Sequence, residues 1–332
     1  MRFHVAMAYH QHSLVAGRRT PATQTKYALV EGRFQQFVQQ TAGRTATVAD
    51  LNVSMVREFM VWLGGLLVPR KFGGTAGHGA LTIKQHVSIL KFLSKLLAND
   101  WPEEFPRGDP LARLKVPKVT SAPIEVFKRE EIDRLLALTQ ATNLPVRNNA
   151  LILFLVDTGC RLSEVINLTR KQVELVGAQR NGRARIVMSK GGKTRFVYFG
   201  GKCSKALSRY MATERDRLGS HLDYLFLNRS GQKMSPSGVQ ILFRKLGRLA
   251  GLDNVRCSPH TFRHTFATWY LRRHPGQLEQ LRQLLGHANL TMVLVYAKLA
   301  EADIENTYES LVDDWSNLSK RNGRTRLEDE ER

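Results

Sequence analysis

The stretch SPHTFRHTFATWYLRR, residues 258–273, predicts a helix with a polar first turn and an apolar stripe behind it. Ser258 is a favourable N-cap residue, and Pro259 suits the first helical position because an N–H there would have no partner within the helix. Apolar side chains recur beside the polar ones and would anchor the helix in a core: Phe262, Phe266 and Trp269.

Two polar residues of this segment, His260 and Arg263, are expected to lie together near the start of the helix. They are three residues apart and therefore share a face. The exposed N–H groups and the helix dipole at this end favour an anion. A histidine and an arginine on a solvated surface give the same HxxR pattern, and such short matches are common. Other segments must therefore decide between the two interpretations.

Upstream, the segment TGCRLSEVINL, residues 158–168, places Arg161 directly after a turn signal. Glu164 follows within one helical turn, where its carboxylate could hold the Arg161 guanidinium or brace the fold. An inward-facing stripe is predicted at Leu162, Val165 and Ile166. Taken alone, an arginine in this position would be an exposed helix start.

The segment SKGGKTRFV, residues 189–197, predicts a β-hairpin with its turn at Gly191 and Gly192. Lys190 precedes the glycines and Lys193 follows them. A hairpin tip can carry a lysine into an active site, although a solvated lysine is the ordinary alternative, above all for Lys193. The alternation that predicts the two strands involves Arg185, Val187, Thr194, Phe196 and Tyr198.

Downstream, LLGHANLTMVLVYAKL, residues 284–299, predicts a helix that ends at Gly286, a natural C-terminal cap. His287 follows, and Tyr296 lies on the next short helix, which Thr291 can cap. In so apolar a context, a lone tyrosine would be core packing. The four segments have to be interpreted together.

Together they supply a set of polar side chains without a cluster of carboxylates, which suits metal-free cleavage of a phosphodiester by the tyrosine oxygen. Arginine forks can grip phosphate oxygens and offset the charge that develops on a pentavalent transition state. A phenol, with an ordinary pKa of about 10, needs a proton acceptor or cationic surroundings before it can attack; His260 is the candidate proton shuttle. The complete set is Arg161, Lys190, His260, Arg263, His287 and Tyr296.

In order and local sequence, these segments resemble the tyrosine recombinase (phage integrase-like) family, over roughly residues 20–300. The resemblance implies a mainly α fold with a small antiparallel β-sheet, arranged as a two-domain C-shaped clamp. A helical core-binding (SAM-like) domain would come first and the catalytic domain second. It also implies site-specific recombination of double-stranded DNA by a homo-tetramer, through a 3′-phosphotyrosine intermediate and a Holliday junction.

The resemblance also implies a role for each residue. Tyr296 is the expected nucleophile. Lys190, the lysine before the hairpin glycine, is the expected acid for the departing 5′ oxygen. His287 would donate a hydrogen bond to the phosphate, and Glu164 would play a supporting part. No cofactor and no metal is expected.

Composition agrees with a polyanionic partner. Among 332 residues, 50 Lys and Arg oppose 29 Asp and Glu, for a net charge of +21, and 42% hydrophobic residues indicate a globular chain. The dispersed Cys160, Cys203 and Cys257 form no CxxC pair and fit a reducing cytosol. With no apolar run near the roughly 20 residues that a membrane span needs, we expect a cytoplasmic, nucleoid-associated protein without a membrane partner.

The domain organisation is predicted from changes in periodicity and from prolines. Residues 1–20 carry no clear period and are expected to be a mobile leader. Prolines from Pro102 to Pro123 would break a helix and favour a linker. The predicted order is a leader (1–20), a helical core-DNA-binding domain (21–114), a linker (115–124), a catalytic domain (125–318) and a charged tail (319–332).

Several elements are predicted inside these domains. The first domain should contain helices from Thr23, over Val53–Leu67 and over Leu81–Leu97, with a Gly-rich loop over 69–80 that is either a plain connector or a contact to backbone phosphate. In the second, Tyr224–Leu227 could add a third short strand. An amphipathic helix over 302–318 would dock on a neighbouring subunit, as the resemblance implies. Further helices are predicted over 146–156, 202–218, 235–250, 259–273 and 278–285, and one that starts near residue 128.

Two rival functions remain. A type IB topoisomerase shares the tyrosine chemistry but relaxes supercoils as a monomer, so synapsis of two sites would separate the two. A DNA-binding regulator that has lost catalysis would lack Tyr296 or one of the arginines, and none is missing. The sequence does not name the DNA site, nor does it choose among integration, transposition and dimer resolution.

Overall fold

A computed structural model of the chain describes residues 1–17, 20–69, 75–119, 124–175, 181–187, 194–218, 221–286 and 289–300. By its contacts the chain divides into two units, Met1–Ala122 and Pro123–Arg332. The elements are mainly helices with a small antiparallel sheet, which confirms the predicted fold class. None of the described helices is both long enough and apolar enough to cross a membrane.

The described part of the first unit is mainly helical. Its helices are α1 (Phe3–Ala16), α2 (Pro21–Ala42), α3 (Val53–Gly65) and α4 (Ala80–Asp100), and the last three confirm the predicted helices. Their buried aromatic rings pack together, with the centroids of Phe34 and Phe59 5.3 Å apart. Between α3 and α4, strand β1 (Val68–Pro69) pairs antiparallel with β2 (Thr75–Ala76). Residues 70–74 of the Gly-rich loop lie outside the described residues.

The prediction of a mobile leader over residues 1–20 is wrong, because α1 packs into the core of the first unit. Its buried face has helical spacing: Phe3, Ala6, Met7, His10 and Leu14. Two features hide that period in the sequence. His10 is polar yet buried against the Glu31 carboxylate of α2, and Val5 and Val15 are apolar yet exposed. The amphipathic pattern therefore looks irregular until the partner of His10 is known.

The second unit begins with α5 (Arg129–Leu138), α6 (Pro145–Thr158) and α7 (Leu162–Asn167). Its later helices are α8 (Gly201–Tyr210), which continues as a π-helical turn over Met211–Arg215, and then α9 (Pro236–Leu249), α10 (Pro259–Arg273) and α11 (Leu278–Leu285). Residues 291–300 are also helical. Helix α6 lies in the middle of the core, packed against α8 and α10.

A three-stranded antiparallel sheet covers one side of this core, in the order β3 (Val173–Glu174), β4 (Gly182–Val187), β5 (Thr194–Phe199). The predicted hairpin is thus confirmed as β4 and β5, although its tip, residues 188–193, lies outside the described residues. The third strand was predicted wrongly. The described segment Tyr224–Leu227 makes isolated bridges rather than a strand, because Tyr224 pairs with Thr169 whereas Leu227 pairs with Lys233 in a different part of the chain.

The predicted linker and the predicted C-terminal segments fall partly or wholly outside the described residues. The predicted linker, residues 115–124, contains the division after Ala122, and residues 120–123 are not described. The predicted helix over 302–318 and the charged tail over 319–332 lie outside the described residues.

Candidate active site

Helix α10 starts as its sequence predicts. The hydroxyl of Ser258 accepts the backbone N–H of Thr261 at 3.2 Å, and Pro259 occupies the first turn. Phe262 is fully buried and fixes the helix in the core, while Phe266 and Trp269 are partly buried. His260, in the first turn, is exposed. The N-terminal turn of the helix is therefore exposed at His260 and fixed in the core by Phe262.

Arg263, one turn further along the helix, is by contrast only 4% exposed. Its Nη1 donates to the carbonyl of Gly159 and its Nη2 to the carbonyl of Leu285, each at 2.8 Å. Burial, and then the charge of Arg161, lower the pKa of Arg263 to about 10. The guanidinium therefore remains charged at neutral pH, held by backbone oxygens in a largely desolvated place.

Arg161 lies at the N-cap of α7 and is paired with Glu164. Glu164 accepts the backbone N–H of Arg161 at 2.8 Å, and Nη1 of Arg161 lies 3.2 Å from the same carboxylate. The Arg161 side chain is 37% exposed, so one side of the guanidinium remains open to solvent. Glu164 thus fixes both the helix start and the direction of the arginine.

A second arginine, Arg195 of β5, binds Glu164 through both of its terminal nitrogens, at 2.9 and 2.8 Å. Burial alone would raise the pKa of Glu164, but the hydrogen bonds and charge of Arg195 outweigh it, and the pKa lies below its usual range. Glu164 is therefore ionised at neutral pH. A bidentate pair of this kind fixes geometry as well as charge.

The C-terminal end of α11 joins these side chains. The carbonyl of Leu284 accepts from Arg195 at 2.7 Å, and the carbonyl of Leu285 accepts from both Arg263 and Arg161, the latter at 3.4 Å. Carbonyls in the last turn of a helix have no partner within the helix and carry partial negative charge. They can therefore hold several like-charged arginines side by side.

Tyr296 reaches the same place from the helical residues 291–300. It is 4% exposed, and its hydroxyl lies 2.9 Å from Nδ1 of His264. Burial raises the pKa of Tyr296, and the charges of Arg263 and Arg161 counter part of that rise. The phenol is therefore protonated at neutral pH and lies within electrostatic reach of both arginines.

The structure thus brings together four of the residues selected from the sequence: Arg161, Glu164, Arg263 and Tyr296. His260 lies on the same helix, one turn from His264, and its charge acts on that residue. Lys190 and His287 lie outside the described residues.

Two residues of the site were not selected from the sequence. His264 follows His260 by four residues, so the shared face of a helix was a signal that could have identified it. Arg195 had a weaker signal, because alternation along β5 does not say which face covers Glu164. Both contacts join segments far apart in the chain.

In chemical terms the arrangement suits an anion. Two arginines from separate elements face one place beside a protonated phenol, and guanidinium forks match the oxygens of a phosphate. Among the residues that the structure describes, no three His, Cys, Asp or Glu side chains are grouped so that they could hold a metal ion.

The amino-acid sequence is similar to a known protein family and to individual known proteins. The model of the phage integrase family matches residues 125–303. The chain is 30% identical over 237 residues to tyrosine recombinase XerD of Oceanobacillus iheyensis, and the matched region covers 70% of this chain and 76% of that protein. It is 31% identical over 232 residues to tyrosine recombinase XerC of Anoxybacillus flavithermus, with 68% and 74% covered.

Solved structures give similar folds. The XerH site-specific recombinase bound to its difH substrate superposes with a TM-score of 0.65 at 23% identity, over 85% of this chain and 79% of that one. The Tn1549 transposon integrase in complex with transposon right end DNA superposes with a TM-score of 0.66 at 18% identity, over 93% and 100%. At these identities the likeness establishes the fold.

Proposed function

Because this chain belongs to the phage integrase family, we propose that Tyr296 attacks DNA as the nucleophile of its recombination reaction. The chain is a tyrosine recombinase, and its function is site-specific DNA recombination. The observation that carries the proposed mechanism is the meeting of Arg161, Arg263 and Tyr296 around the end of α11.

In the proposed reaction, Arg161 and Arg263 grip the non-bridging oxygens of one phosphate. The Tyr296 oxygen forms a bond to phosphorus while the bond from phosphorus to the 5′ oxygen breaks, which leaves a 3′-phosphotyrosine. The charge that develops on the phosphate is offset by arginines that are already in place, so little reorganisation is needed. A 5′ hydroxyl from another strand then reverses the step and rejoins the DNA.

Other residues are assigned by their place in the family pattern. Lys190 protonates the departing 5′ oxygen, and His287 donates a hydrogen bond to the phosphate. Glu164 positions Arg161, as its contacts support. His260 moves protons at the exposed rim of the helix N-terminus. The mechanism draws on no cofactor and no metal.

The assembly follows from the reaction. Exchange of strands between two duplexes needs four cleaved strands, and we infer a homo-tetramer on two specific sites that passes through a Holliday junction. The charge of +21 supports contact with the duplex backbone by both units. A DNA substrate of this kind places the enzyme in the cytoplasm at the nucleoid. Integration, excision and resolution are all consistent with this chemistry.

One experiment identifies the DNA site and tests the nucleophile together. Purified protein is incubated with fragmented genomic DNA from its source, and DNA that remains attached after denaturation is sequenced. The wild type should enrich a short common site. Tyr296→Phe should bind the same DNA without forming an attachment, because only the attacking oxygen is lost. Equal attachment by the Phe variant would remove Tyr296 from this role.

A plasmid with two copies of that site then separates recombination from topoisomerase activity. A recombinase should exchange DNA strands between the two copies of the site. A plasmid with a single copy should not be relaxed to completion. Relaxation without any exchange would favour the type IB topoisomerase.

A further inference from the structure

The hydroxyl of Tyr296 has a defined partner in His264, on the second turn of α10. Nδ1 of the imidazole lies 2.9 Å from the phenolic oxygen, and the ring centroids are 5.6 Å apart. His264 is half-buried, and α10 is anchored in the core at Phe262. The imidazole is therefore held by a rigid element within hydrogen-bond distance of the attacking oxygen.

The surroundings of His264 keep its ring neutral. Burial lowers its pKa, and electrostatic interactions with His260 and Arg263, on its own helix, lower it further. Tyr296 faces it from residues 291–300, and Arg161 of the α7 N-terminus acts on that tyrosine. A neutral imidazole whose hydrogen is on Nε2 has a lone pair on Nδ1 and can accept the phenolic hydrogen.

We propose that His264 accepts the proton of Tyr296 as the tyrosine attacks the DNA. The proposal rests on the proposed function and deepens it. As the oxygen of Tyr296 bonds to phosphorus, its O–H bond breaks and the proton moves to Nδ1 of His264, which becomes an imidazolium. The electron pair of the broken phosphorus–oxygen bond stays on the 5′ oxygen, which Lys190 protonates. Rejoining returns the proton from His264 to Tyr296.

This assignment differs from the expectation that His260 is the proton shuttle. His260 is exposed at the helix N-terminus, whereas His264 makes the direct contact with the hydroxyl. Direct contact is the first requirement of a general base, before its pKa. His260 then lies next in line toward solvent, on the same face of the helix.

Two substitutions separate proton transfer from positioning. In His264→Asn, the amide can still hydrogen-bond from the place of Nδ1 but cannot take a proton, whereas His264→Ala removes both functions. Single-turnover cleavage of a nicked duplex carrying the recovered site is measured at saturating protein. We expect both variants to lose on the order of a hundredfold or more in rate, with unchanged DNA affinity. His274→Gln, at the exposed C-terminal end of the same helix, is the matched control and should cleave normally.

The pH dependence gives a second readout that a merely structural residue would not change. Because the pKa of His264 is lowered, wild-type cleavage should stay level as pH falls through about 6.5 and decline only below it. His264→Asn should instead gain about tenfold in rate per pH unit, because hydroxide must then remove the proton. Free imidazole should partly restore His264→Ala.

The possible outcomes distinguish a failure of the proposed function from a failure of the role assigned to His264. If the wild type forms no attachment to DNA through Tyr296, the proposed function fails. If the wild type cleaves and His264→Asn stays within about threefold of it at every pH, the assignment of His264 alone is overturned. Thermal unfolding of each variant shows that a lost rate does not reflect a lost fold, and the wild-type pH profile tests the proposal without any substitution.

Discussion

At the scale of single residues, Arg263 shows how the site gains its charge. A guanidinium that is 4% exposed is costly to bury, and two backbone carbonyls at 2.8 Å offset that cost. Carbonyl partners carry no full negative charge. With a pKa of about 10, the guanidinium stays charged at neutral pH, in a place where water screens that charge poorly.

Replacing Arg263 with lysine should separate charge from shape. Arg263→Lys keeps the charge but loses the planar fork, so it cannot reach the carbonyls of Gly159 and Leu285 and a phosphate together. We expect cleavage to slow by about a hundredfold to a thousandfold, with little change in DNA affinity. Arg273→Lys, exposed at the other end of α10, is the control. A rate for Arg263→Lys within about threefold of wild type would show that the fork does not grip the phosphate.

The sequence predicted the arginines and the tyrosine of the site but not all of their partners. Arg161, Glu164, Arg263 and Tyr296 stand in short segments whose spacing is informative. The HxxR pattern does not include His264, although its side chain contacts the hydroxyl of Tyr296 in the structure. A contact of this kind depends on tertiary packing, which local spacing does not record.

At the scale of elements, the end of α11 organises the site. Gly286 has a φ of 64°, which lets the chain leave the helix while the carbonyls of Leu284 and Leu285 stay directed at the arginines. A side chain at this φ is strained. The conformation of one glycine therefore sets the direction of two hydrogen-bond acceptors.

Two glycines with the same conformational demand allow a matched test. Gly286→Ala and Gly276→Ala both place a side chain at positive φ, 64° and 79°, and each should destabilise the protein by about 1–2 kcal/mol. Only Gly286→Ala should also slow cleavage, because the carbonyls of Leu285 and Gly286 accept hydrogen bonds from Arg161 and Arg263. Urea denaturation gives the stability and single-turnover cleavage gives the rate. Equal cleavage rates for the two variants would show that the conformation at Gly286 does not position the arginines for cleavage.

The helices of the sequence were easier to predict than its strands. Helices α2 to α4 and α9 to α11 carry apolar residues at helical spacing, and the side chains of Thr20, Asn52, Ser235 and Ser258 cap four of them. Helix α1 was missed because its buried face includes His10, whose partner Glu31 lies on another helix. The two-residue strand β3 was missed because so short a segment has no measurable period, and its pairing with β4 is a tertiary fact.

Helix α1 can be tested directly. Phe3 is fully buried and packs against Phe34 of α2, with ring centroids 5.3 Å apart. Phe3→Ala should therefore lower the free energy of unfolding of the first unit by about 3–5 kcal/mol. Val5→Ala, at a side chain that is 49% exposed, should change it by less than about 0.5 kcal/mol. If Phe3→Ala left the urea denaturation curve unchanged, the prediction of a mobile leader over residues 1–20 would be supported after all.

At the scale of the whole molecule, the charge of +21 sets how the chain meets DNA. Each phosphate contact releases counterions, so the logarithm of affinity should fall by roughly 0.9 per contact for each tenfold rise in salt. With a net charge of +21 on a chain of two units, we expect on the order of ten such contacts. Equilibrium binding of the recovered site over a range of salt measures the slope. A nearly flat response would place the basic residues away from the DNA.

The central claim is that Tyr296 becomes covalently joined to the 3′ end of a cut strand. The most direct measurement traps the protein on a nicked duplex in excess EDTA, digests protein and DNA, and locates the remaining nucleotide by mass spectrometry. We expect one modified peptide, with a 3′-linked nucleotide on Tyr296, formed in undiminished yield without free metal. A nucleotide on another residue, a 5′ linkage, or loss of the adduct in EDTA while DNA binding persists would contradict it.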